Sequence, residues 1–197
     1  MAIQQYGVIN DPDLNDANKI TIEQDTSEYS AGVVAYADEG VMMELTANWL
    51  SPFIDDNAGA FAPKVGGMVQ STQGITSVNE LNSQQVWNGN EPLRFSLPIN
   101  FVAYSDPANE VHRAMQALET MASPQVNDLL PFGDIPDAVT VNIGGILTIP
   151  NCRITTTPID LSAPKTTGGF LSYATMQLEI ESLAMSNRTH IDGHWNL

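Results

Sequence analysis

Apolar and polar positions alternate along much of the chain with a period of two, as in strands that bury one face and wet the other. Val41, Met43, Leu45, Ala47 and Trp49 alternate with Met42, Glu44, Thr46 and Asn48. Phe95, Leu97, Ile99, Phe101 and Ala103 alternate with Arg94, Ser96, Pro98 and Asn100. Near the end, Ala174, Met176, Leu178 and Ile180 alternate with Thr175, Gln177, Glu179 and Glu181. One wet face per strand is the habit of antiparallel sheets. Pro98 has no N–H to give a ladder, which points to an edge or a bulge in the second run. Further strands are predicted at 20–23, 139–143, 146–149 and 152–157. Asp38-Glu39-Gly40 is predicted to fold residues 32–37 back onto the strand from Val41. Asn88-Gly89, which supplies positive φ angles, is predicted to join 84–87 to 93–104 in a tight hairpin.

One segment changes to helical spacing. Asp106 can cap it, Pro107 suits the first helical position and Pro124 stops it, giving a helix over about 107–122. Val111, Met115, Leu118 and Met121 share one face, which Ala114, Ala117 and Ala122 widen; Glu110, Arg113 and Glu119 lie opposite. Such a stripe is read as a core-packing face. Residues 51–74 are rich in Gly, Pro, Ala and Asn and are read as a long loop, residues 1–18 as an N-terminal arm and 185–197 as a C-terminal tail. A single β domain over 19–184 lies between them. Arms and long loops suit a subunit that reaches its neighbours.

Composition narrows the classes. In 197 residues, 43% are hydrophobic but only 15% are charged, with 23 acids against 7 bases and a net charge of −16. That balance argues against a face that grips nucleic acid or an anionic membrane. Eleven of the acids fall in the first 60 residues, against Lys19 as the one base. Cys152 is the only cysteine, which rules out an internal disulfide and a cysteine-based zinc site. The first residues lack the basic and apolar regions of a signal peptide, and no apolar run nears the roughly 18 residues that span a bilayer. A soluble protein folding in a cytoplasm is the expectation.

Candidate chemistry is sparse. Asp11, Asp13 and Asn15 imitate the start of an EF-hand loop, but Asp16 stands where the turn needs Gly and Ile22 where the loop needs Glu. His190, Asp192 and His194 place two imidazoles four apart around a carboxylate, a spacing that holds zinc on a helix; Gly193 weakens that helix, and a polar tail is the preferred reading. Cys152 sits in a strand-like run and is read as a small buried hydrophobe. No nucleophile elbow, phosphate loop or dinucleotide fingerprint occurs, and Lys64-Val65-Gly66-Gly67 runs in the wrong order for one. No catalytic, metal or cofactor site is assigned, and the chain is read as a non-enzyme.

Taken in order, residues 84–184 carry a longer pattern: Gln85-Val86-Trp87-Asn88-Gly89-Asn90-Glu91-Pro92-Leu93, an alternating strand, the capped helix, a proline-bearing linker, strands at 139–143 and 152–157, a Gly loop and a last alternating strand. This resembles the tail-tube-like proteins of contractile phage tails, in particular those that initiate or adapt the tube at the baseplate. The resemblance implies a mainly β fold, an antiparallel two-sheet sandwich with one packed α-helix. It also implies a homohexameric ring in the virion tail, joined to other tube and baseplate proteins, through whose lumen DNA passes without being held. On that view Glu44, Thr46, Asn48, Thr175, Gln177, Glu179 and Glu181 line the channel, although the same residues could simply face solvent. Trp49, Phe53, Phe61, Trp87 and Trp195 are candidates for contact between subunits. The alternative is a β-sandwich binding module of carbohydrate-binding or adhesin-like type, with Trp49, Trp87, Trp195 and the loop at 51–74 forming a sugar-stacking site.

Overall fold

The computed structural model describes residues 3–9, 15–27, 29–50, 85–126 and 133–196. The chain divides into two units, Met1–Leu45 with Pro92–Leu197, and Thr46–Glu91.

The larger unit is a β-barrel. Its strands are β1 (Gln4–Gly7), β2 (Lys19–Asp25), β3 (Ser30–Ala37), β4 (Met42–Glu44), β7 (Arg94–Val102), β8 (Val139–Ile143), β9 (Leu147–Thr156) and β10 (Tyr173–Ser182). The smaller unit holds β5 (Ala47–Leu50) and β6 (Val86–Asn90), paired antiparallel. In the larger unit β3, β2, β8, β9, β10 and β7 follow one another, and β7 then pairs back to β3 through Tyr36↔Asn100 and Ala37↔Ile99. Six antiparallel strands therefore close on themselves, and the expected two-sheet sandwich is not what forms. Closure satisfies the sheet edges that a sandwich would leave open. β1 adds to β3 in parallel, on the side that β7 occupies further along the strand.

Alternation builds the barrel interior as expected for β7 and β10. Phe95, Leu97, Ile99 and Phe101 point inward beside Ala174, Met176, Leu178 and Ile180, all of them buried. Ile20, Ile22, Val33, Val139, Val141, Ile149 and Cys152 complete the wall from the other strands. Each large side chain removed from water in this way contributes about 1.5–3 kcal/mol.

Two predicted turns act differently. β3 and β4 do not pair with each other; both run antiparallel along β7, and Asp38–Val41 bulges out between them, with Met42↔Ser96 resuming the ladder. Pro98 lies opposite this bulge, and its carbonyl accepts the Asp38 N–H at 3.0 Å. A residue's N and C=O point to the same side of a strand, so the N–H that Pro98 lacks would have faced a gap in the ladder. Asn88-Gly89 is likewise no hairpin turn. It lies inside β6, where the pairing shifts from Ala47↔Asn90 to Trp49↔Trp87, and Gly89 (φ +107°) takes up the extra residue as a bulge. A Gly pair does turn the β8–β9 hairpin: Gly144 and Gly145 both have positive φ, as a type I′ turn requires.

The helix starts with a wide turn over Ala108–His112, in which Arg113 N–H bonds to Ala108 O, and continues as α1 (Arg113–Ala122). Its apolar face, Val111, Ala114, Met115, Leu118 and Met121, is buried, and α1 packs against β1, β3 and β9. Asp106 caps it by accepting the Ala108 N–H at 3.1 Å.

Glu110, expected on the polar side, is only 3% exposed. It turns back over the chain entering the helix and accepts the N–H groups of Tyr104, Ser105 and Asp106 at 2.6, 2.9 and 3.0 Å and the Ser105 hydroxyl at 2.8 Å. Burial alone would push this carboxyl up; the hydrogen bonds from Ser105, Asp106 and Tyr104 outweigh it and hold the group below its ordinary value.

The expected arms are folded where they are described. Residues 4–7 form β1, and α2 (Arg188–His194) occupies the expected C-terminal tail. A second helix thus joins the one predicted. No helix among the described residues is long and apolar enough to cross a membrane.

Candidate functional site

The outer face of β7, β10 and β9 carries most of the residues expected to line a channel. Alternation dictates this: with Phe95, Leu97, Met176 and Leu178 turned inward, Ser96, Thr175, Gln177, Glu179 and Glu181 must turn out. The registers Glu44↔Arg94, Glu181↔Arg94 and Glu181↔Arg153 set four charges in a row across β4, β7, β10 and β9, with alternating sign. Arg153 Nη2 reaches Glu181 Oε2 at 2.8 Å, and Arg94 Nε reaches Oε1 at 3.1 Å. The hydrogen bond from Arg153, aided by the charges of both arginines, holds the Glu181 carboxyl below its usual value despite some desolvation.

In the adjacent row the Ser96 hydroxyl donates to Glu179 Oε1 at 2.9 Å, and Gln177 Nε2 donates to Ser96 Oγ at 2.7 Å. Thr175 lies across from Asn100, whose amide reaches Asp38 Oδ2 at 2.8 Å. The face is therefore polar and internally bonded. Its four carboxylates, Asp38, Glu44, Glu179 and Glu181, stand against two guanidinium groups, Arg94 and Arg153, so about half of its negative charge is offset. Nothing in the alternation of β10 signalled the two arginines; they arrive from β7 and β9 through register alone.

Thr46 and Asn48 belong to the smaller unit and are half-buried there. The same unit presents Trp49 and Trp87 as a directly opposed cross-strand pair, 54% and 50% exposed, flanked by exposed Leu50 and Val86. Trp87 Nε1 donates to Asn90 Oδ1 at 3.1 Å. Phe53 and Phe61, with the predicted loop at 51–74, lie outside the described residues. Trp195 belongs to the larger unit, where it is partly exposed and its backbone bridges Leu147.

β4 adds a third feature. Its alternation predicted one face on a core, yet all of Met42, Met43 and Glu44 are exposed, Met42 at 63%, and Leu45 beside them is exposed as well. Among the described residues β4 pairs with β7 alone.

The remaining candidates do not converge on catalysis. Cys152 is fully buried, and burial pushes its thiol up to about 12, far from a reactive thiolate. His112 accepts the Leu171 N–H at Nε2, 2.7 Å, and packs edge-on to Phe170. α2 sets Asp192 two residues from each of His190 and His194, hence on the opposite face, so the three do not form one ligand set. Asn15 accepts the Ala17 N–H, Ile22 is buried in β2, and Asp11 and Asp13 lie outside the described residues. No protein-family model matches the chain, and no curated protein sequence matches it.

Proposed function

We propose that the chain is a structural, non-catalytic subunit of a phage tail, forming a homohexameric ring of the tail tube or baseplate in contact with other tube and baseplate proteins. The observation that carries this reading is β4: a short sheet edge with Met42, Met43 and Leu45 exposed beside it. An exposed apolar edge is a template for pairing with another chain, and a ring of identical subunits covers it without leaving a new edge. The exposed Trp49, Leu50, Val86 and Trp87 supply further apolar contact area of the kind buried in subunit interfaces. In such a ring the polar face of β7, β10 and β9 lines the lumen. Its arginines are engaged by Glu181, so DNA phosphates meet few uncommitted bases and pass without being held.

Solution mass measurement with negative-stain microscopy tests the reading. Rings with a central hole support it. A persistent monomer at high concentration that binds glycans saturably overturns it in favour of the second reading, a binding module. The observation favouring that second reading is the Trp49–Trp87 pair, whose exposed rings could stack on sugar faces.

A further inference from the structure

His190 and His194 are bound up with neither the barrel core nor the polar face, and their placement is specific. α2 is held at both ends. Asn187 caps its start by accepting the Thr189 N–H at 3.2 Å. Beyond its end, Asn196 N–H bonds to Ile146 O at 2.8 Å, and the Asn196 amide reaches Gly145 O at 3.0 Å and Thr148 Oγ1 at 2.9 Å. The helix is therefore anchored to the β8–β9 hairpin. On an α-helix, residues four apart lie one above the other on the same face. Both histidines line one open cavity of about 400 Å³, together with Ile149, Pro150 and Asn151 of β9. Among the described residues neither ring has a hydrogen-bond or ion-pair partner.

We propose that His190 and His194 form a two-imidazole chelate for a borderline transition-metal cation of the Zn(II), Ni(II) or Cu(II) class. Imidazole suits these ions, whereas Ca(II) and Mg(II) demand oxygen ligands. A common ion about 2.0–2.1 Å from each ring is the known use of this spacing. The open cavity leaves room for water on the remaining coordination positions. Asp192 faces away and contributes nothing. Competing sites of the same chemistry are few: of the three histidines, His112 already spends Nε2 on Leu171, and Cys152 is buried.

The test is calorimetric titration of the full chain, carrying no affinity tag, with NiCl2 and ZnCl2 in the presence of excess CaCl2 to saturate carboxylates. The expected result is one saturable Ni(II) site per chain. His190→Gln and His194→Gln each weaken it by more than about tenfold, since loss of a ligand exceeds the 10-fold or greater effect of losing an outer-shell partner. Asp192→Asn leaves it unchanged. Thermal melts of the three variants matching the parent chain establish that folding is intact. No saturable binding by the parent, unchanged binding in either histidine variant, or an equal loss in Asp192→Asn overturns the assignment.

Discussion

Glu110→Gln isolates the role of one buried charge, because it keeps the shape of the side chain and removes only its ionisation. Glu110 Oε2 accepts three backbone N–H groups and Oε1 accepts the Ser105 hydroxyl. In the variant the amide oxygen can still face the three N–H groups and the amide nitrogen can face Ser105, which can rotate to accept. What is lost is the charge on the acceptor. Hydrogen bonds to charged groups contribute about 1.5–3 kcal/mol and neutral ones about 1 kcal/mol; because the three bonds share one oxygen, the loss falls near the low end of the summed difference, about 2 kcal/mol. Glu110→Ala additionally strands buried donors and is expected to cost about 4 kcal/mol. For a chain of this length about 2 kcal/mol corresponds to a fall in Tm of about 4–8 °C.

Urea unfolding followed by tryptophan fluorescence and circular dichroism measures the difference as a shift in midpoint at constant slope. The pH dependence gives a second, independent reading. The folded pKa of Glu110 is depressed, so its contribution is complete above the unfolded carboxyl value of about 4.3 and disappears as pH falls through the folded value. The gap between parent and Glu110→Gln should therefore be full at neutral pH and close in acid. A gap under about 0.5 kcal/mol at pH 7, within the range of ordinary surface substitutions, or one that does not shrink in acid, refutes the claim that an ionised Glu110 pins the helix entry.

Other expectations can be checked in parallel. Gly144→Ala places a Cβ 2.7 Å from Ala17 O at a φ of +60°, and should lower stability by about 2 kcal/mol or more, whereas Gly145→Ala meets open space and should cost only about 1 kcal/mol of left-handed strain; equal losses in urea melts would contradict the packing. Glu181→Gln breaks two ion pairs whose arginines are half exposed, so it should cost under about 1 kcal/mol and less still in high salt. Trp87→Ala should leave the melting of the isolated chain nearly unchanged, because the side chain is already 50% exposed, and yet prevent ring formation under negative stain; normal rings would remove the β5–β6 pair from the interface.

How much of this could be read from the chain differs element by element, for physical reasons. The alternation in β7 and β10 was legible because one face of each strand is dry and the other wet, and a strand's geometry writes that directly into every second residue. The helix was legible for the same reason at its own period, with Asp106 and Pro124 marking its ends. Glu110 was not, since its burial follows from the three N–H groups it turns back to meet; a carboxylate four residues after Asp106 was the only local sign of a capping arrangement.

Turn residues proved ambiguous because a positive φ serves a bulge as well as a hairpin. Gly89 was used for the first and the Gly144-Gly145 pair for the second. The change from sandwich to barrel rests on Tyr36↔Asn100 and Ala37↔Ile99, contacts between residues more than sixty apart that leave no periodic trace. Likewise, the charges on β10 were visible in the chain, but the pairing of Glu181 depends on which arginines the registers of β7 and β9 bring alongside. Which segments become strands, and which of their faces are wet, follow locally from backbone geometry and solvation and are therefore written in the chain. Which strand meets which is a long-range matter, and with it come the closure of the barrel and the ion pairs on its polar face.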